Sequence, residues 1–167
     1  GYPWFHREEL KSSDFFPWIR SVSERNEYIN EEIKEKFDVL DFAKNVYRDE
    51  LDKVPKLYKE SEESKRIREI GYLTYRWFLP VLLERQDKMA RIADFEIRAP
   101  FCNFKLMKYV YNIPWEYRVY NNMEKGILRY AFKDLLPEAV AYRKKSPYPK
   151  TYNPEYTNLI VDRFVQI

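Results

Sequence analysis

Apolar positions recur at helical spacing along almost the whole chain. Leu40, Ala43, Tyr47 and Leu51 fall three and four residues apart, as do Ile67, Ile70, Leu73 and Trp77. Each set makes one apolar stripe, and each helix is expected to pack by it. Residues 51–65 hold Pro55 and a stretch rich in Glu, Ser and Lys, which suits a solvent-exposed connection between the two. Pro80 is expected to end or kink the second helix, because its ring removes a backbone donor and crowds the carbonyl four residues back. The helical pattern resumes over residues 81–92. Near the C-terminus Asn153 reads as an N-cap, Pro154 as the first helical residue and Glu155 as a first-turn acid, with Tyr156, Ile160, Phe164 and Ile167 on one face. Strict two-residue alternation is scarce. Only Glu96-Ile97-Arg98-Ala99-Pro100-Phe101 has short extended character, ahead of Pro100. The expected fold class is all-α, in one domain.

Composition narrows the function classes. With 45% hydrophobic and 18% aromatic residues in 167, the chain has enough apolar material for a sizeable core. The three glycines, Gly1, Gly71 and Gly126, are too scattered to form a loop that closes backbone amides around phosphate. A net charge of +3, with both signs interspersed, disfavours nucleic acid as a partner. One cysteine, Cys102, excludes an internal disulfide or a thiolate zinc cage, and one histidine, His6, excludes a multi-histidine metal site. Apolar runs such as 77–83 contain Pro80 and stop at Glu84 and Arg85, far short of the ~20 residues that span a bilayer. A cytoplasmic protein is expected. The opening Gly1-Tyr2-Pro3-Trp4-Phe5 is apolar, turn-rich and lacks an initiator Met, so the chain reads as a piece of a longer one.

The segment 141–154 places four cations, Arg143, Lys144, Lys145 and Lys150, among Pro147, Pro149, Pro154 and three tyrosines. Proline fixes φ and restricts the residue before it, so these cations are held in set directions, as recognition of a phosphate or carboxylate requires. The competing reading is a solvated surface run.

Four further elements stand in a fixed order: Arg85-Gln86-Asp87-Lys88-Met89, then Glu96 to Phe101, then Lys125-Gly126-Ile127-Leu128-Arg129, then Leu136-Pro137 leading to Arg143-Lys144-Lys145. This order resembles the C-terminal part of the synthetase domain of glutamine-hydrolysing asparagine synthetases, which carry Arg-x-Asp-x-Met, Glu-x-Arg-x-Pro-Phe, Lys-x-x-Leu-Arg and Leu-Pro…Arg-x-Lys elements. Asn112 to Glu116 and Lys145 to Thr151 look like the bacterial branch. The resemblance is dense from Pro80 to Tyr156 and thin from His6 to Leu79. It departs at Cys102-Asn103, where the family commonly has Leu-Asp or Cys-Asp.

The resemblance implies a helical fragment of an α/β adenine-nucleotide α-hydrolase-like synthetase domain, residues 1–167 being its C-terminal portion, with the glutaminase domain and phosphate loop absent. It implies adenylation of the aspartate β-carboxylate by ATP with Mg2+, and displacement of AMP by glutamine-derived ammonia. The fragment alone is expected to be inactive and to bind no cofactor tightly. Its partners would be aspartate, ATP, ammonia and the rest of its own chain, with room for a homodimer and none for nucleic acid or membrane.

By correspondence with the final Lys of the Arg-x-Lys element, Lys145 is the expected catalytic cation, and Arg143 offers a bidentate grip on a carboxylate. The other candidates each carry two readings. Asp87 orients the substrate ammonium or pairs with Arg91 one turn on. Glu96 and Arg98 touch substrate or form an ion pair that orders their turn. Lys125 and Arg129, four apart on one helix face, point to the phosphates or make an exposed stripe. Cys102 reads as a small buried filler, and His6 as packing or surface. Two alternative functions remain: another synthetase on the same scaffold, β-lactam-forming or peptide-cyclising, and a non-catalytic helical interaction domain.

Overall fold

The computed structural model describes residues 2–19, 21–144 and 153–166. The chain falls into two compact units, Gly1–Leu128 and Arg129–Ile167. Among the described residues every regular element is a helix or helical turn, in line with the all-α expectation. A 3-10 turn at Pro3–Phe5 precedes the short helices α1 (Glu8–Lys11), α2 (Val22–Asn26) and α3 (Glu31–Lys36). Then come α4 (Val39–Asp52), α5 (Glu62–Leu73), a π turn at Thr74–Phe78, α6 (Leu79–Ile92), α7 (Phe104–Tyr111), α8 (Trp115–Arg118) and α9 (Gly126–Ala131). The second unit holds α10 (Glu138–Ala141) and α11 (Pro154–Val165). No helix among the described residues is long and apolar enough to cross a membrane.

Local chemistry sets where the helices start. Ser21, Asn30, Asp38, Ser61, Asn103 and Asn153 each turn a side-chain oxygen onto a backbone N–H of the first turn, satisfying a donor the helix leaves open. The Asn153 cap, with Pro154 behind it, is the one the sequence announces.

The two long stripes bury as their spacing predicts. Ile67 is 2% exposed and Ile70 and Leu73 are fully buried, while Tyr47 of α4 joins Phe16 and Leu73 in the core. Around them stand aromatic rings in edge and tilted contacts: Phe15 on Phe16, Phe16 on Tyr47, and Trp18 on Phe16. The connection 53–61 is exposed except at Val54, which is buried, and at Glu60, which is half-buried.

Thr74 joins the N-terminal segment to this core. Its hydroxyl donates to the Ile70 carbonyl at 2.7 Å and accepts from the Trp4 indole N–H at 3.1 Å. Trp4 stacks on Tyr2 at 4.7 Å and meets Phe78 edge-on at the same distance.

Pro80 neither ends the helix nor marks the break. The irregularity lies before it, in the π turn, and α6 runs on with Pro80 at one of its first two positions. A widened turn makes room for a ring that a regular α turn would press against the carbonyl four residues back. The same turn changes the phase of the stripe, so Trp77 is 40% exposed although Ile67, Ile70 and Leu73 are not. α11 keeps Tyr156, Ile160 and Phe164 exposed, and Ile167 lies outside the described residues.

Glu60 and Arg68 form a two-pronged pair, Nε to Oε1 at 2.9 Å and a terminal guanidinium nitrogen to Oε2, with both side chains 11% exposed. The Arg68 bond holds the Glu60 carboxyl below its ordinary value of 4.5. The Tyr111 hydroxyl donates to the Arg68 carbonyl at 3.3 Å and so docks α7 on α5.

Leu73→Ala should cost about 2–5 kcal/mol in urea unfolding, because the site is closed on all sides and cannot collapse around the missing methyls. A loss under 1 kcal/mol would contradict the burial described. Glu60→Gln tests the paired carboxylate through pH. A depressed carboxyl pKa contributes stability above the unfolded value, lost as pH falls through the folded one. The variant should therefore be less stable than the parent at pH 7, with the gap closing below pH 4.5; a gap constant from pH 7 to pH 3 would refute the coupling.

Candidate functional site

The candidate residues fall in or beside four elements. Asp87 sits on the exposed side of α6, where its Oδ2 accepts from the Arg91 Nε at 2.8 Å. Of its two sequence readings the structure realises the i,i+4 pair. Glu96 and Arg98 follow the end of α6 in a stretch without regular structure. An Arg98 terminal nitrogen meets Glu96 Oε2 at 3.1 Å, with both side chains more than 70% exposed. Pairs this exposed contribute about 0–1 kcal/mol, so another charged group can readily replace either partner.

Pro100–Cys102 closes a 3-10 turn, and Asn103 then caps α7, accepting from the N–H groups of Lys105 at 3.0 Å and Leu106 at 3.4 Å. The amide keeps the capping function that a carboxylate would serve at the same place. Cys102 is a free thiol, half-buried rather than buried. It lies close to the phenols of Tyr2 and Tyr75. Burial raises the pKa of both, and Cys102 adds a smaller push in the same direction.

Lys125 and Arg129 do not share a helix face. Lys125 precedes α9 with φ 59°, in the left-handed region, and its ammonium lies 5.6 Å from the Phe101 ring centroid. This cation–π contact joins the Glu-x-Arg-x-Pro-Phe element to the Lys-x-x-Leu-Arg element within the first unit. The i,i+4 reading needs residue 125 inside the helix, and its positive φ keeps it out. Next to it Gly126 is buried, and a Cβ there would stand 2.3 Å from both the Tyr120 N and O atoms. Only glycine fits so close to backbone.

Arg129 belongs to the second unit and serves backbone rather than solvent. One terminal nitrogen donates to the Ala141 carbonyl and the other to the Arg143 carbonyl at 3.0 Å. The Ala141 carbonyl ends α10 and the Arg143 carbonyl lies just past it, where main-chain acceptors lack helical partners. The guanidinium thus fixes the strand of chain that leads into the basic run. Arg143 and Lys144 are exposed, while Lys145, the expected catalytic cation, lies with Lys150 outside the described residues.

Sequence reasoning missed Arg118. This half-buried guanidinium lies 5.2 Å from the Trp115 ring, and its Nε is buried without a hydrogen-bond partner among the described residues. Burial draws its pKa down, against the opposing effect of the Tyr75 and Tyr111 phenols. Trp115 stands three residues before it on α8, while Tyr75 comes from a distant part of the chain, and that distant neighbour is what no spacing announces. His6, read as packing or surface, is exposed, with its ring 5.7 Å from Trp115.

Among the described residues no three His, Cys, Asp or Glu side chains converge to hold a metal ion. Asp87, Glu96, Arg98 and Lys125 are exposed charged groups of the first unit, and Arg129 is a half-buried guanidinium of the second.

A chain of helices bearing these four ordered elements matches the model of the asparagine synthase family over residues 1–165. It belongs to that family. Over 157 residues it is 43% identical to the glutamine-hydrolyzing asparagine synthetase 3 of Bacillus subtilis strain 168, an alignment covering 94% of this chain and 25% of that protein. It is 32% identical over 105 residues to asparagine synthetase 1 of the same organism, covering 62% of this chain and 16% of that protein. A probable asparagine synthetase of Acanthamoeba polyphaga mimivirus is 31% identical over 77 residues, 45% of this chain and 14% of that protein. The chain thus spans about a quarter of the length of the first of these curated relatives.

Gly126→Ala forces a methyl into backbone that flexible side chains cannot vacate, and overpacking of this kind costs about 1–3 kcal/mol. Urea unfolding should report that loss; a variant as stable as the parent would show that the turn before α9 yields freely.

Proposed function

We propose that this chain is the C-terminal helical part of the synthetase domain of a glutamine-hydrolysing asparagine synthetase. The whole protein, a cytoplasmic enzyme in this reading, makes asparagine from aspartate, ATP and glutamine-derived ammonia. The observation that carries the reading is 43% identity across 94% of the chain to a protein of that name. In this reading the glutaminase domain, the phosphate loop and the ligands of Mg2+ belong to the rest of the longer polypeptide.

The chemistry accounts for the residue types. An aspartate carboxylate oxygen attacks the α-phosphorus of ATP and pyrophosphate leaves; ammonia then attacks the acyl carbon, AMP leaves and the nitrogen gives up a proton. Negative charge builds on phosphate oxygens in the first step and on the tetrahedral oxygen in the second. A fixed cation facing that charge in a water-poor site contributes several kcal/mol. Lys145 is that cation in this proposal, and the two hydrogen bonds of Arg129 to carbonyls 141 and 143 supply the fixed approach it needs. Arg143 would hold a carboxylate. Asp87, Glu96, Arg98 and Lys125 are candidates for substrate contact, each exchanging an exposed partner for a ligand group.

In the full-length protein Lys145→Ala should slow pyrophosphate release from aspartate and ATP by about 10²–10³-fold while glutamine hydrolysis continues. Pyrophosphate release at the parent rate would remove Lys145 from the mechanism.

A further inference from the structure

The first unit contains a cavity of about 830 Å³ between α4 and the segment that joins α1 to α2. Its volume falls in the range of small-molecule sites, about 300–1,000 Å³, and far exceeds what an inorganic anion fills. One wall is apolar and aromatic, built from Phe15, Leu40, Tyr47 and Leu51. The opposite chemistry comes from Lys44 and Arg48, one helical turn apart on α4, so that both cations reach the same side.

These two charges are not spent elsewhere. Neither forms an ion pair among the described residues; Arg48 has one long bond of 3.4 Å, to the Asn45 amide oxygen. The other two cations of the lining are engaged. Lys11 pairs with Glu8 and Glu63. Arg66 binds the carbonyls of Lys11 and Ser13, the Tyr47 hydroxyl and Glu69, and so shapes the wall. One carboxylate, Asp14, lines the cavity against them. The hydroxyls of Ser21 and Ser23, also in the lining, lie 3.2 Å apart. Two hydroxyls carry two protons and their mutual bond uses one, so the second is left to donate outward.

We infer that this cavity binds a small phosphomonoester with an aromatic or apolar body. The phosphate dianion meets Lys44 and Arg48, its third oxygen accepts from the serine pair, and the body lies on Phe15, Leu40 and Leu51. Two cations and a hydroxyl donor match the charge and the three oxygens of a phosphomonoester better than the charge and two oxygens of a carboxylate. The site stands apart from the asparagine synthetase reading, since none of its residues belongs to the four ordered elements.

Phenyl phosphate is the probe, titrated into the full-length protein by isothermal calorimetry. The parent should bind it saturably. Lys44→Glu combined with Arg48→Glu should weaken binding at least tenfold, while Lys44→Arg should preserve it. Inorganic phosphate and benzyl alcohol should each bind at least tenfold more weakly than phenyl phosphate. Both cations are exposed, so circular dichroism should show an intact fold in the double variant; if it does not, Lys44→Gln with Arg48→Gln takes its place under the same criteria. No saturable binding to the parent, as when another part of the protein fills the cavity, would overturn the inference. So would undiminished binding by the double variant, or inorganic phosphate binding as tightly as phenyl phosphate.

Discussion

The Thr74 hydroxyl, held between the Ile70 carbonyl and the Trp4 indole N–H, is the contact on which the arrangement of the first unit depends. It ties two segments 70 residues apart at a point where both are buried. A hydrogen bond of this kind contributes only about 1 kcal/mol net, but leaving the buried indole N–H unmet costs about 1–3 kcal/mol, so the pairing fixes register more than it adds stability. The aromatic rings complete the tie. Tyr2, Trp18 and Phe78 surround Trp4, and Phe5 stacks on Trp115 at 5.4 Å, which carries the same N-terminal segment to the helix pair α7 and α8.

The candidate site residues divide by what holds them. Asp87 and Glu96 are paired with neighbours two to four residues away, in solvent, where the pairing is weak and replaceable. Lys125 is fixed by its backbone, left-handed beside a glycine pressed on Tyr120, and by the Phe101 ring. Arg129 is committed to carbonyls, with a fork geometry that a lysine ammonium does not reproduce. The weakly held groups are free to change partner, whereas the strongly held ones set the path of the chain.

Much of the helical layout was legible because period 3.6 leaves a direct trace. The stripes at 40–51 and 67–73, the exposed connection and the Asn153 cap all follow from side-chain spacing and capping chemistry. The Asp87–Arg91 and Glu96–Arg98 pairs were legible as one of two readings, since both depend only on local geometry. What the sequence concealed depends on contacts between distant residues or on a single backbone angle. Arg118 is half-buried between its own helix's Trp115 and the distant Tyr75, and Lys125 leaves its helix because φ is positive there. Pro80 drew attention to itself while the actual irregularity lay just upstream, where no residue type marks it.

That irregularity governs the orientation of everything downstream on α6. A π turn carries one residue more than the α turn it replaces. Deleting a single position within 74–78 would let the ladder run regularly from α5 into α6, and would swing each later side chain about 100° around the rod axis. Asp87, and the chain that leaves α6 toward Glu96 and Arg98, would then face a different neighbourhood with their own sequence untouched. Insertions and deletions in this short window therefore act as a dial on side chains more than ten residues away.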